Sequence, residues 1–174
     1  RWLALGLESG SVNVRKDVVK GRFDDCNIID IVNKIKQNDI CIMGNWIFGL
    51  PEDDLLSMKQ TLDFAMELNT EGCNMYSCQA YPGSPLYGIA KKEGWLLPQN
   101  YSGFSQHAVD TQPLRTKYIT AKEVLGFRDS AWQTYHTNPN YLNMIEKKFG
   151  VDSKNIILES SKIKLKRKIL ETDV

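Results

Sequence analysis

The segment Leu3-Ala4-Leu5-Gly6-Leu7-Glu8-Ser9-Gly10-Ser11 opens as an apolar run and closes on two glycines, two serines and a carboxylate. A buried parallel strand reads this way when it delivers a polar loop to one end of a sheet. In α/β sheets, ligands sit where the strands end at their carboxyl side. Glu8 is therefore expected to point into a site, and Gly6 and Gly10 to let the backbone approach a ligand.

The same strand, loop and helix device then repeats. Val12 to Lys20 is a short helix closed by Gly21, and Arg22-Phe23-Asp24-Asp25 is a turn with a capping aspartate. Ile28, Ile31, Val32 and Ile35 give an amphipathic helix from Cys26 to Gln37. Ile40 to Leu50 is a second buried strand, followed by an acid-rich helix start at Glu52-Asp53-Asp54 and a helix to about Leu68. Cys73 to Tyr81 reads as a third strand, broken by Pro82-Gly83-Ser84-Pro85, with a short helix from Leu86 to Lys92. Such alternation implies a parallel sheet with right-handed crossovers.

After Trp95 the character changes. Residues 98–119 are polar and without clear period, which suggests a lid or crossing segment. Thr120-Ala121-Lys122-Glu123 is a capping box opening a helix to about His136. A further helix runs from Tyr141 to Phe149, and the basic run Lys162, Lys164, Lys166, Arg167, Lys168 reads as a solvated helix face. The expected organisation is thus a core unit over 1–97, a loop over 98–119 and a helical extension over 120–174.

The 174 residues suffice for one cored domain. A net charge of +1 gives no electrostatic reason to bind nucleic acid or anionic membranes. With no long apolar run or signal-peptide pattern, the expected location is cytoplasmic. The four cysteines, Cys26, Cys41, Cys73 and Cys78, fit neither a disulfide framework nor paired zinc motifs. Cys73 and Cys78 read as small buried strand residues. The chain opens directly on a strand at Arg1, which suggests a fragment of a larger sheet.

Three loops now share one end of that sheet: Gly6 to Ser11, Gly44 to Asp53, and Gln79 to Tyr87. Together they offer a carboxylate, glycines, exposed backbone and the aromatics Trp46, Phe48 and Tyr81. This set suits a nucleoside-like ligand, with hydroxyls or an ammonium on the carboxylate and apolar cover for a base.

Taken in order, GLESGS followed by VRKDVVKGRF, then IFGLPEDD, then QAYPGSPLY, resembles the second half of a radical S-adenosylmethionine enzyme barrel. The branch it is most similar to often carries an upstream cobalamin-binding domain. The match covers roughly the first half of the chain. The resemblance implies strands four to six of a six-stranded partial β/α barrel, the missing amino-terminal half of the same polypeptide as partner, and a small-molecule or unknown substrate. It implies that Glu8 contacts the ribose or amino-acid part of S-adenosylmethionine, with Ser9 and Ser11 as polar neighbours. Lys20 falls where a basic residue meets the ligand carboxylate, though it also reads as a solvated helix-end lysine. Ile47, Phe48 and Gly49 match the segment packing on adenine, and Tyr81, Pro82 and Gly83 the segment whose backbone meets it. Asn45 and Trp46 could face ligand or substrate.

One departure is large. The C-x-x-x-C-x-x-C loop that would hold a [4Fe–4S] cluster is absent from the sequence. The resemblance implies a cluster, and a 5′-deoxyadenosyl radical, only with ligands outside this chain, and cobalamin only through a domain outside it. A catalytically inactive half barrel that binds a nucleoside or a partner is the alternative. An ordinary phosphate-binding barrel fits less well, because Pro82-Gly83-Ser84 only half matches a phosphate loop. The catalytic residues are not identified. His107 and His136 are the two histidines, and His107 is the candidate for a substrate contact or proton transfer, set against a plain surface role.

Overall fold

A computed structural model of the chain describes residues 1–19 and 27–171. The strands are β1 (Trp2–Glu8), β2 (Cys41–Phe48) and β3 (Gly72–Ser77). The helices are α1 (Val12–Val19), α2 (Ile28–Gln37), α3 (Leu55–Leu68), α4 (Pro85–Lys92), α5 (Ala121–His136), α6 (Pro139–Phe149), α7 (Val151–Ser161) and α8 (Lys168–Glu171). A 3₁₀ turn occupies Tyr101–Phe104. The protein is an α/β fold built on one three-stranded parallel sheet of order β1-β2-β3.

The alternation of side chains sets two unlike faces on this sheet. Leu7, Ile42, Trp46, Phe48, Cys73 and Met75 point to one face and share a continuous apolar core with α2, α3, α5 and α6. The opposite face carries Gly6 and Glu8 of β1, Asn45 and Ile47 of β2, and Asn74 and Tyr76 of β3. Of these, Glu8, Asn45, Ile47, Asn74 and Tyr76 are half-buried and Gly6 is exposed. Residues 120–149 do not sit apart, since Val124, Ala131, Tyr135, Tyr141 and Ile145 belong to the same core as the strands.

The two edges also differ. On β3 the outward-facing groups are capped by side chains. Arg128 Nε donates to Met75 O at 2.7 Å, while Gln106 accepts from Ser77 N and donates to Ser77 O, both at 2.9 Å. Capping of this kind blunts an edge strand. Among the described residues, β1 has a strand neighbour on its β2 side alone.

One local reading, the capping box of Thr120 and Glu123 at the start of α5, holds; the structure adds caps at Asp54 for α3 and Ser84 for α4. Others are corrected. The helix expected from Cys26 begins at Ile28 and is capped by Asn27, whose side chain accepts from Asp30 N; the proposed capping aspartate falls outside the described residues. The third strand ends at Ser77, not Tyr81. Its partner β2 ends at Phe48, where Gly49, with φ of +80°, turns the chain away and leaves residues beyond Cys78 without a strand to pair with. The basic run is not one helix face. Residues 163–167 lie outside helices, and Arg167 is only 2% exposed.

Candidate functional site

The carboxyl ends of the strands build the site. A register shift between Gly6 and Glu8 makes a bulge at the end of β1. Glu8 there adopts φ +59°, a left-handed conformation costly for a non-glycine residue. The bulge folds its carboxylate back over Gly6, where an added Cβ would stand 2.7 Å from Glu8 Oε1. A side chain at Gly6 would displace the end of Glu8 from this position. The carboxylate has no hydrogen-bond or ion-pair partner among the described residues, and burial raises its pKa above the ordinary glutamate value.

Beside it runs a chain of amides. Gly6, Asn45 and Asn74 occupy one cross-strand row. Asn74 Nδ2 donates to Asn45 Oδ1 at 3.0 Å, and Asn45 Nδ2 donates to Leu5 O at 3.1 Å. That direction leaves Asn74 Oδ1 as an acceptor at the end of the chain. Ile47 and Tyr76 form the next row. A carboxylate and amides on a sheet face do not suit packing against apolar cover. They suit a ligand carrying hydroxyls, amines or an ammonium.

The predicted residues divide between this face and the core. Glu8 and Ile47 lie on the open face. Phe48 does not: it is fully buried on the covered face, 5.4 Å from the ring of Phe127. Within the segment Ile47 to Gly49, alternation along β2 sends the Phe48 side chain opposite to Ile47, so it does not share the open face. Trp46 is likewise turned into the core. Gly49 N donates to buried Asp53 at 3.1 Å. Ser9 is fully buried, with its hydroxyl 3.1 Å from Thr61 Oγ1 and accepting from Ser11 N. Its hydroxyl is committed to α3 and to the turn. Gly10 makes its close approach to the backbone of α3, not to the open face. Ser11 is buried and its carbonyl accepts from Arg15 N at the start of α1.

Tyr81 is half exposed and its ring stacks on Phe104 at 5.9 Å. Pro82 and Gly83 are exposed in the turn that follows, and Gly83 has φ +88°. Lys20 lies outside the described residues. His107 is exposed beside Arg128 and Arg167, and burial together with these cations lowers its pKa. His136 is a core residue, stacked on Trp132 at 4.2 Å with its Nδ1 2.9 Å from Trp132 O.

Asn74, Gln106, Asp129 and Arg167 escaped the sequence reading. Asn74 alternates with buried Cys73 and Met75, a period-two signal that could have marked it. Gln106, Asp129 and Arg167 meet only through distant contacts and carry no local signal.

Cys41, Cys73 and Cys78 form no metal centre among the described residues. Among the described residues no group of three or more His, Cys, Asp or Glu gathers to hold a metal. Cys73 and Cys78 are buried free thiols, and burial pushes the Cys78 thiol up to about 12, away from the thiolate form. No helix among the described residues is long and apolar enough to cross a membrane.

No protein-family model matches the chain. It is similar to a curated protein of Pyrococcus horikoshii described as an uncharacterized methyltransferase, 23% identical over 137 residues. The match covers 79% of this chain, and the chain spans 29% of the length of that relative.

Proposed function

We propose that this chain is the S-adenosylmethionine-binding part of an enzyme that uses that cosubstrate, and that its sheet is strands four to six of a radical S-adenosylmethionine barrel. The carrying observation is the half-buried Glu8 carboxylate, held over Gly6 with no partner among the described residues, on a polar sheet face. A carboxylate so placed accepts from ribose hydroxyls or from the amino group of the methionine moiety. Two features of the sheet support the barrel reading: its strands follow in sequential order, and the capped edge is β3. A doubly wound sheet would reverse strand order at its ligand site. Further parallel strands, from the remainder of the polypeptide, would add beside β1.

The relative's description as a methyltransferase fits a protein family that handles S-adenosylmethionine. The residues described here do not fit an iron–sulfur cluster, and no step of the reaction is assigned to one. In this reading the cluster ligands, and any cobalamin domain, lie outside these 174 residues. This chain's own part is to bind and orient the ligand. Glu8, Asn45 and Asn74 offer acceptors from the sheet, and Ile47 offers apolar cover beside them. Tyr81 and the backbone at Pro82 and Gly83 flank the carboxyl end of β3.

The test is Glu8→Ala in the protein expressed from its complete reading frame, with S-adenosylmethionine binding measured by calorimetry. Losing one or two charge-assisted hydrogen bonds costs about 1.5–3 kcal/mol each, so affinity should fall at least about tenfold. Unchanged affinity would refute the assignment. The products then sort the chemistry. 5′-Deoxyadenosine with methionine marks radical cleavage, whereas S-adenosylhomocysteine alone marks direct methyl transfer.

A further inference from the structure

The segment between α4 and α5 is tied down by the far end of the chain. Arg167, 2% exposed, places Nε and an Nη on the two carboxylate oxygens of Asp129, at 2.8 and 3.0 Å. The same guanidinium donates to Gln106 O and to Ala108 O, both at 3.0 Å. These carbonyls flank His107 on either side. Lys168 N adds a backbone bond to Val109 O at 2.8 Å. Asp129 is shared with Arg128, at 2.8 Å, and Arg128 Nε reaches Met75 O on β3. A continuous polar chain therefore runs from β3 through α5 to the tail and back onto residues 106–109.

A buried guanidinium is stable only when its donors are matched. Here one carboxylate and two carbonyls match the planar fork, an arrangement that an ammonium cannot reproduce. Its consequence lies at the carboxyl end of β3. With its backbone fixed, Gln106 holds Ser77 N, O and Oγ through its side-chain amide. Phe104 stacks on Tyr81 in the same segment. His107 projects from the pinned turn, and the charged groups around it are Arg128 and Asp129 of α5 and Arg167 of the tail.

We infer that Arg167 is a positioning residue. It holds residues 103–112 against the end of β3, so that Gln106 and His107 form one wall of the ligand site. The helical extension would then complete the site and not merely follow it. The statement about the ligand rests on the S-adenosylmethionine reading above; the statement about the latch does not.

Amide hydrogen exchange on Arg167→Lys tests the latch. The reporters are Ser77 N, bonded to Gln106, and Gln112 N, bonded to Gly103 O at 2.9 Å. Both should exchange at least about tenfold faster, while amides in the β1–β2 ladder keep their rates. Unchanged rates at Ser77 and Gln112 would overturn the latch. Gln106→Ala touches no buried charge and should speed Ser77 alone, which keeps the test valid if Arg167→Lys unfolds. The second arm measures S-adenosylmethionine affinity in the complete protein. Both variants should bind at least about tenfold more weakly under conditions in which each remains folded, the loss expected for an oriented polar contact. Wild-type affinity in both variants would overturn the wall. A wild-type protein that does not bind S-adenosylmethionine would overturn the ligand reading instead, and exchange would still decide the latch.

Discussion

The two faces of the sheet are made from the same three strands and do opposite work. On the covered face, Ile42, Trp46, Phe48 and Met75 are fully buried against helices. On the open face, the Glu8 carboxylate stands at the end of β1, and the amides of Asn45 and Asn74 run across β2 and β3, joined by a hydrogen bond that leaves an acceptor over. The covered face supplies stability by removing apolar area from water. The open face costs stability, through a left-handed Glu8 and a desolvated carboxylate. Polar groups kept at such cost are characteristic of binding sites.

The largest expected effect separates neighbours in sequence. Phe48→Ala should cost about 3–5 kcal/mol in urea unfolding, because it empties a space between β2 and α5. Ile47→Ala, one residue away on the open face, should cost under about 2 kcal/mol. Equal losses would mean that both faces are packed, and the contrast would fail.

Asn45→Ala should cost about 1 kcal/mol by the same measure, since it removes one link of the amide chain. Its effect on S-adenosylmethionine affinity should exceed its effect on stability. The reverse ranking would make the amides structural.

Glu8→Gly sharpens the comparison further. Glycine tolerates φ +59° and carries no carboxylate to desolvate. The variant should be more stable by about 0.5–1 kcal/mol while losing ligand affinity. A less stable Glu8→Gly protein would show that the carboxylate has a structural partner.

The smallest effect concerns the covered layer. Burial lowers the pKa of His136, against the opposing hydrogen bond to Trp132 O, with Arg128 as the nearby cation. A group whose folded pKa is depressed favours the neutral form. Its contribution is complete above its unfolded value, about 6.5, and declines as pH falls through the folded value. His136→Phe should therefore lose less Tm between pH 7 and pH 5 than the wild type. An identical slope would remove His136 from the acid response. The Arg128–Asp129–Arg167 cluster would be tested next, because Asp129 is held below the usual carboxylate range.

Much of the architecture was legible because it is local. Apolar periods marked the three strands and the main helices, and the capping box at Thr120 and Glu123 marked where α5 begins. Glu8 at a strand end beside glycines marked the site by the same short-range logic. The side chains of Phe48 and Trp46 could not be assigned to a face, because Ile42-Met43-Gly44-Asn45-Trp46-Ile47-Phe48 is apolar on both sides of the strand. Only pairing with β1 and β3, and the helices above, settles which half is buried.

The sequence by itself determined the element order, the parallel α/β class and the carboxylate that the open face presents. These follow from hydrophobic period, capping chemistry and turn residues, whose causes lie within a few positions along the chain. Tertiary structure alone decided the capped edge of β3, the row of Asn45 and Asn74, and the burial of Arg167. Each joins residues far apart in sequence, 38 positions for Asp129 and Arg167 and 29 for Asn45 and Asn74. No local propensity encodes such a meeting. A basic residue in a lysine-rich tail reads as solvated until the fold brings a carboxylate and two carbonyls to its donors.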